Sequence, residues 1–187
     1  MDKLYFATGN ENKVNEVSKI LGIPLEIARL ELDEIQDVDI EKVARRKVEH
    51  AFELLKKPVF VDDVGVYFSA WNGFPGTFAK FLQDAGGNGL ILRMLNNEKN
   101  REVLARDAIA FHDGEKVHTF IGEMRGVVIS EPKGETGWGY DPIIIPEGES
   151  RTYAEMREEE KNKISHRARA LEKFKNFLNS KEFAKKI

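Results

Sequence analysis

Along the first part of the chain, segments with the hydrophobic pattern of a buried strand alternate with segments that have the pattern of an amphipathic helix, which predicts alternating strands and helices. Residues 4–7 form a short apolar run typical of a buried strand, and an amphipathic helix is predicted to follow it. Residues 25–32 alternate like a second strand, and a second amphipathic helix ends just before Pro58. The inward positions of these two helices are Val14, Val17, Leu21, Val43, Val48, Ala51, Phe52 and Leu55.

The run FVDDVGVYF, residues 60–68, places Asp62 and Asp63 side by side in an apolar strand pattern. Burying an unpaired carboxylate is costly, so two of them in a central strand indicate that something binds them. The alternative is that the strand ends at Val61 and the aspartates open a turn before Gly65. In either case, we expect the strand to break at the aspartates.

The second part of the chain favours a hairpin and a final helix. A helix over 78–85 is followed by the interrupting glycines Gly86, Gly87 and Gly89. Residues 103–112 and 116–129 alternate on either side of an Asp-Gly turn, which predicts an antiparallel ribbon. A glycine-rich loop, a short apolar strand and an amphipathic helix follow, and the basic residues after Ser180 resemble a frayed end. The inward positions of that helix are Ala168, Leu171, Phe174 and Leu178.

Length and charge limit the possible classes of function. The 187 residues fit one domain, 1–187, and 29 basic residues nearly balance 32 acidic ones, for a net charge of -3. Nothing in that balance indicates a protein that grips nucleic acid or an anionic membrane. The chain has neither a membrane-length apolar stretch nor the apolar region of a signal peptide, so we expect a cytoplasmic protein.

Cysteine and histidine usage restricts any metal site. The chain has no cysteine, which excludes disulfides and thiolate ligands, and its four histidines lack zinc-ligand spacing. A bound metal would therefore be held mainly by oxygen.

The stretch TGNENK, residues 8–13, lies where a strand turns into a helix. A helix N-terminus offers free N–H groups and a partial positive charge that suit phosphate oxygens, and Lys13 could reach the same phosphates. The spacing is not that of a Walker A loop. The alternative is a plain N-cap at Asn10 with a solvated Lys13.

Two further stretches could contact a flat ligand. WGYD, residues 138–141, lies in a loop with Gly134, Gly137 and Gly139, which let the backbone approach a ligand while Trp138 stacks on a base. EKNKISHR, residues 160–167, crowds cations around an expected N-cap at Ser165, where an anion or planar acceptor would stabilise them. The alternatives are a turn with Trp138 packed in the core, and a solvated helix face.

Taken in order, T-G-N-x-x-K, E, D-D-x-G, G-W-G-Y-D-P and E-K-x-x-x-S-H-R resemble the inosine triphosphate pyrophosphatase family. The likeness runs from Leu4 to about Phe177. Members of that family hydrolyse non-canonical purine nucleoside triphosphates, such as ITP, dITP and XTP, to the monophosphate and pyrophosphate. The resemblance implies an α/β fold that is elongated and two-lobed, with a long mixed β-sheet flanked by helices and a central nucleotide-binding cleft.

The resemblance also implies roles for residues. Mg²⁺ would be held by Glu34, Asp63 and Asp62, with Asp63 as the base that activates water. The residues implied for phosphate binding are Thr8, Gly9, Asn10, Glu11, Asn12, Lys13, Lys47 and Lys80. Those implied for base binding are Trp138, Gly139, Tyr140, Asp141, Lys161, His166 and Arg167. The implied partner is a purine nucleoside triphosphate, with neither nucleic acid nor membrane, in a homodimer.

Two positions depart from the family pattern. Val64 stands where many relatives have serine, so a hydroxyl contact there is in doubt, whereas Trp138 in place of phenylalanine keeps an aromatic face.

Two other interpretations stay open at this point. The septum-inhibitor family cleaves other nucleoside triphosphates, but its N-terminal motif is rich in serine and arginine. A single-stranded RNA-binding module would use Trp138 and the basic cluster. Such a module would not need Glu34, Asp62 and Asp63, because acidic groups repel phosphate unless a metal intervenes.

Overall fold

A computed structural model describes residues 4–180 of the chain, and the predicted basic end after Ser180 lies outside them. The strands are β1 (Leu4–Ala7), β2 (Leu25–Ala28), β3 (Val59–Phe68), β4 (Pro75–Gly76), β5 (Glu102–His112), β6 (Val117–Val128) and β7 (Ile144–Pro146). The helices are α1 (Glu11–Leu21), α2 (Ile40–Leu55), α3 (Ala79–Met94), α4 (Glu158–Ile164) and α5 (His166–Leu178).

Within residues 4–180, seven strands form one mixed sheet. Its order is β2-β1-β3-β5-β6-β7, and the two-residue β4 pairs with β3. β1 runs parallel to both of its neighbours, with Phe6 opposite Ile27 on one side and Phe60 on the other. β7 runs antiparallel to β6, with Val127 opposite Ile145. The predicted mixed α/β class and the hairpin of β5 and β6 are confirmed.

The described chain divides into two compact units, each assembled from separate segments. The first runs to Asp63 and adds Asp107–Gly122 and the chain from Arg167 onward. The second consists of Val64–Arg106 and Glu123–His166. The prediction of a single domain stays a prediction.

The first unit has two hydrophobic clusters, which contain alternate residues of the same strands. Phe6 and Phe60 pack with residues of α1 and α5, including Val17 and Phe174. The neighbouring positions of the same strands, among them Val61, pack instead with α2. Because successive side chains of a strand point to opposite sides, α1 and α5 cover one face of the sheet and α2 covers the other. The second unit has a cluster of its own, built around β3, α3, β5 and β6.

Two sequence predictions need correction, and a third is confirmed. β3 is continuous from Val59 to Phe68, so the expected break at the aspartates is wrong, and the strand does not end at Val61. β2 ends at Ala28, earlier than residue 32. The predicted interruption by the glycines after residue 85 is confirmed, because Gly87 has a non-helical backbone and α3 consists of two helical segments that meet there at a kink.

No helix in residues 4–180 is long and apolar enough to cross a membrane.

Candidate active site

Asp62 and Asp63 point to opposite faces of the sheet, since they are consecutive residues of the unbroken β3. Asp62 lies on the face covered by α1 and α5 and bonds to Lys13 and Arg167. Asp63 lies on the face covered by α2 and bonds to Lys47. The two adjacent carboxylates therefore belong to different charge clusters, both in the first unit.

The cluster on the α2 face joins Glu34, Lys47 and Asp63. The Lys47 ammonium donates to Glu34 Oε1 at 2.5 Å and to Asp63 Oδ1 at 2.8 Å. Burial opposes the charge on Lys47, but the carboxylates of Asp63 and Glu34 outweigh it and raise the pKa of the ammonium. The second oxygen of Asp63, Oδ2, is buried and accepts no hydrogen bond from residues 4–180.

Glu34 and Asp63 fit a hard divalent cation. Their carboxylate oxygens are the ligands that Mg²⁺ prefers, and both approach one ammonium from the same side of β3. The open Oδ2 of Asp63 is an oxygen that a cation or a water would satisfy. Asp62 faces away from this pair, and residues 4–180 contain no group of three or more His, Asp or Glu side chains arranged around a metal position.

The cluster on the opposite face is buried. Arg167 donates to Asp62 from Nε at 2.7 Å and from Nη2 at 3.2 Å, and its Nη1 donates to Glu16. Lys13 Nζ lies 2.7 Å from Asp62 Oδ1 and donates to the Asp62 carbonyl at 2.5 Å. Burial alone would raise the pKa of Asp62, but Arg167 and Lys13 outweigh it and hold that pKa well below its usual range.

Asp107 is a member of this cluster that sequence reasoning missed. It lies on β5, fully buried, with Oδ2 at 3.5 Å from Arg167 Nε. Burial and then the charge of Asp62 raise its pKa well above the usual range, so the protonated acid is favoured. With Asp107 neutral, Lys13 and Arg167 balance the charges of Glu16 and Asp62.

A signal for Asp107 was present in the sequence. The alternation of β5 brings residue 107 to the same side as the buried Ile109 and Phe111. A carboxyl group in such a row needs a partner, as the pair at 62 and 63 does.

The loop before α1 is closed by its own side chains. Asn10 caps the helix, as the sequence predicts, because its Oδ1 accepts from Asn12 N at 3.0 Å and Lys13 N at 3.3 Å. Thr8 Oγ1 accepts from Asn10 N at 3.1 Å. The exposed members of the loop are Gly9, Glu11 and Asn12. This arrangement presents an exposed, rigid helix N-terminus, which is a favourable place for an anion.

Lys13 and Arg167 are both tied to carboxylates. The Lys13 side chain is only 16% exposed, so the alternative of a solvated Lys13 does not hold. The Arg167 side chain is 3% exposed and lies among Glu16, Asp62 and Asp107 in the first unit. The base-binding role implied for Arg167 stays a prediction, since its contacts here are with acids.

In the second unit, Asp141 organises the WGYD loop. Its Oδ2 accepts from Trp138 N at 2.7 Å and from the Lys161 ammonium at 2.7 Å. Lys161 is buried, and its ammonium lies 5.7 Å from the centre of the Trp138 ring. The alternative of a solvated charged face does not hold for Lys161. Glycine is required at Gly137, because a Cβ there would lie 2.3 Å from Asp141 Oδ2.

The same loop is bonded to α3. Tyr140 donates its hydroxyl to the carbonyl of Ala79 at 2.6 Å, and burial raises the pKa of that hydroxyl. Asn88 Nδ2 donates to the carbonyl of Gly139 at 2.9 Å. Gly139 and Tyr140 are among the residues predicted to bind the base, whereas the sequence predicts no role for Asn88.

The remaining predicted residues of the second unit are Lys80 and His166. Lys80 is exposed on the first turn of α3, and its ammonium is paired with Asp84. His166 is half-buried at the first position of α5. The roles implied for both stay predictions.

A comparison with protein families matches residues 4–177 to the model of the Ham1 family. A protein of Saccharolobus solfataricus named dITP/XTP pyrophosphatase is 42% identical over 181 residues, which cover 95% of this chain and 94% of the relative. A protein of Methanopyrus kandleri with the same name is 44% identical over 176 residues, which cover 92% and 94%.

Solved structures agree with the sequence relatives. A HAM1 protein from Coxiella burnetii superposes with a TM-score of 0.82 at 26% identity, covering 94% of this chain and 98% of the other. The Staphylococcus aureus Ham1 protein gives a TM-score of 0.81 at 27% identity, covering 94% and 97%. The family resemblance drawn from the motifs is confirmed.

We expect Lys13→Met to destabilise the protein, because it removes one of the cations that hold the buried Asp62 carboxylate. Arg167 remains in place, so the loss should be about 1 to 3 kcal/mol in the free energy of unfolding. Urea unfolding measures it. Lys175→Met, at an exposed position on α5, serves as the control and should change stability by about 0.5 kcal/mol or less. Equal effects of the two substitutions would contradict the assignment.

We expect Asp107→Asn to change how stability depends on pH. A buried acid whose pKa is raised by folding stabilises the fold below its unfolded pKa, and that contribution is lost as pH rises through the folded pKa. The amide cannot ionise, so the stability of the wild type relative to the variant should fall as pH rises from about 4, the ordinary pKa of an aspartate, to neutral pH. Urea unfolding across this range checks the sign, and a difference that does not vary with pH would refute it.

Proposed function

The chain belongs to the Ham1 family, and from this membership we propose that it hydrolyses non-canonical purine nucleoside triphosphates. The proposed substrates are ITP, dITP and XTP, and the proposed products are the nucleoside monophosphate and pyrophosphate. Such an enzyme is a hydrolase of phosphoanhydride bonds that removes unwanted nucleotides from the pool. The homodimer and the cytoplasmic location implied by the resemblance stay predictions.

The observation that carries the proposal is the cluster of Glu34, Lys47 and Asp63. An acidic pair beside a phosphate site would repel the substrate unless a cation intervened. Lys47 supplies one positive charge, and the two carboxylates leave the cluster with a net charge of minus one. The open Oδ2 of Asp63 adds an acceptor that protein groups in residues 4–180 do not use.

Glu34 and Asp63 are the residues that would hold Mg²⁺. When bound, the ion neutralises charge that develops on the phosphates during hydrolysis. Lys47 keeps the two carboxylates together at its ammonium. Lys13 and the N-terminus of α1 supply the positive end for the triphosphate in the same unit.

Asp63 is the proposed general base. An ionised carboxylate can accept a proton from the attacking water, and a positioned base of this kind typically accelerates hydrolysis by about 10² to 10⁴. Lys47 fixes Oδ1 of Asp63 at 2.8 Å, which leaves Oδ2 as the oxygen that takes the proton. The peptide chain of β3, paired on both sides, holds the carboxylate in place.

The WGYD loop is the proposed site of base selection. Trp138 offers an aromatic face for stacking, and the loop is tied to the second unit through Tyr140 and Asp141. A site that hydrogen-bonds the 6-keto edge of a purine leaves buried polar groups unpaired when a 6-amino purine enters.

We expect the wild-type enzyme, with Mg²⁺, to prefer ITP and XTP over ATP by about 10⁴-fold in kcat/KM, because of this mismatch at position 6. Steady-state assays that separate monophosphate, diphosphate and pyrophosphate measure the preference and the products together. Comparable kcat/KM values for ITP and ATP would refute the proposed substrate class. Release of orthophosphate in place of pyrophosphate would refute the proposed products.

We expect Asp63→Asn to lower kcat for ITP by at least about 10²-fold while the melting temperature stays near that of the wild type. The amide keeps the size of the side chain but cannot take a proton. Asp62→Asn is the matched comparison, because the neighbouring residue lies in the buried cluster, where a lost charge destabilises the fold. Kinetics and melting curves of both variants decide the question. An Asp63→Asn enzyme within about threefold of wild type would contradict the catalytic role.

A further inference from the structure

Helix α3 contains a kink that glycine alone accommodates. Gly87 has φ 57° and ψ −157°, inside a helix that otherwise continues from Ala79 to Met94. This region of backbone space is open almost only to glycine. Gly87 belongs to the group Gly86, Gly87 and Gly89, which the sequence analysis singled out without a role. The kink lies directly before Asn88.

Asn88 uses its carboxamide on the WGYD loop. Its Nδ2 donates to the carbonyl of Gly139 at 2.9 Å. Its Oδ1 is buried and accepts no hydrogen bond from residues 4–180. Burying a carboxamide with an unsatisfied oxygen costs free energy, so packing alone does not explain an asparagine at this position. The hydrogen bond to Gly139 is the contact that explains it.

The bond to Gly139 sets the direction of a whole peptide group. A peptide is planar and trans, so when the Gly139 carbonyl points to Asn88, the N–H of Tyr140 points the opposite way. Within residues 4–180, that N–H donates to no backbone carbonyl. Gly139 has φ 62°, and a glycine in this conformation offers little resistance to rotation of the peptide that follows it.

The two ends of the loop are held independently of Asn88. Trp138 N is bonded to Asp141 Oδ2, and the Tyr140 hydroxyl is bonded to the Ala79 carbonyl. Neither bond determines which way the peptide between Gly139 and Tyr140 faces. The turn is also closed by the bond from Asp141 N to the Trp138 carbonyl at 3.2 Å, and the bond from Asn88 is the one made to the peptide itself.

We propose that Asn88 is a positioning residue for base selection, which locks the Gly139–Tyr140 peptide so that the Tyr140 N–H is offered as a donor. A donor at this place matches the 6-keto oxygen of hypoxanthine or xanthine and opposes the 6-amino group of adenine. A reversed peptide would offer the Gly139 carbonyl instead and would favour the amino group. The inference rests on the proposed function and adds the residue that sets its selectivity.

The test compares Asn88→Asp with Gln83→Glu. Asn88→Asp keeps the shape of the side chain, removes the donor and repels the Gly139 carbonyl. Gln83→Glu is the matched control: Gln83 is also half-buried on α3 with an unsatisfied carbonyl oxygen, but makes no hydrogen bond to the loop among the described residues. Asn88→Ala is the second variant, in case the aspartate impairs folding.

We expect Asn88→Asp and Asn88→Ala to lower the ratio of kcat/KM for ITP to that for ATP by roughly tenfold or more, mainly by raising KM for ITP. Gln83→Glu should leave the ratio unchanged. In the Asn88 variants, kcat/KM for the triphosphate of purine riboside, which lacks the 6-oxygen, should fall less than kcat/KM for ITP. Lower melting temperatures with an unchanged ITP to ATP ratio would overturn the inference, because they would show a merely structural role.

A second readout needs no turnover. In a Trp71→Phe background, Trp138 is the remaining tryptophan, and acrylamide quenching of its fluorescence reports the order of the loop. We expect stronger quenching in both Asn88 variants than in Gln83→Glu. Equal quenching would count against the proposal that Asn88 holds the loop. If the wild type fails to hydrolyse ITP, the proposed function fails, while this measurement still decides whether Asn88 holds the loop.

Discussion

The alternation of side chains along β3 is the constraint on which the chemistry of the first unit depends. Two neighbouring aspartates in an unbroken strand must face opposite sides of the sheet, so each needs cations from a different helix. Lys13 and Arg167 reach Asp62 from α1 and α5, while Lys47 reaches Asp63 from α2. One dipeptide thereby links three helices to the centre of the sheet.

The two charge clusters differ in what they leave open. Around Asp62, the cations Lys13 and Arg167 balance Glu16 and Asp62 once Asp107 is protonated, and every one of these side chains is buried or nearly so. Such a cluster is close to neutral overall, and its ion pairs hold α1, β3, β5 and α5 together. Around Asp63, one ammonium faces two carboxylates, so the cluster keeps negative charge and an open oxygen. A bound metal ion is therefore expected on the α2 face, whereas the ion pairs around Asp62 contribute mainly to stability.

Much of this fold was predictable from hydrophobic periodicity, because β1, α1, α2 and the β5–β6 hairpin follow regular patterns. The break expected in β3 is wrong for a physical reason: the sequence does not show which group binds the aspartates, and the cations that do so within the strand lie far along the chain, at Arg167 above all. The same distance hid the buried position of Arg167, which motif order assigned to the base. Sequence gives the type of a side chain and its place in a strand, but the cation that compensates a buried carboxylate is chosen by tertiary packing.

The loop at residues 138–141 was hard to interpret for a different reason. Its contacts run through backbone atoms, such as the carbonyl of Gly139 and the N–H of Trp138, and a backbone atom has no residue type for a motif to record. Its partners include the carboxamide of Asn88, after the kink in α3, and the carbonyl of Ala79, at the start of that helix. Sequence patterns mark such groups only weakly. The arrangement of the two charge clusters in the first unit thus depends on which residues are charged. The conformation of the WGYD loop depends instead on which peptide groups are hydrogen-bonded. Trp138 in place of phenylalanine is tolerable on this basis, because an aromatic face is kept and the bonds of Trp138 N and the Gly139 carbonyl run through backbone atoms.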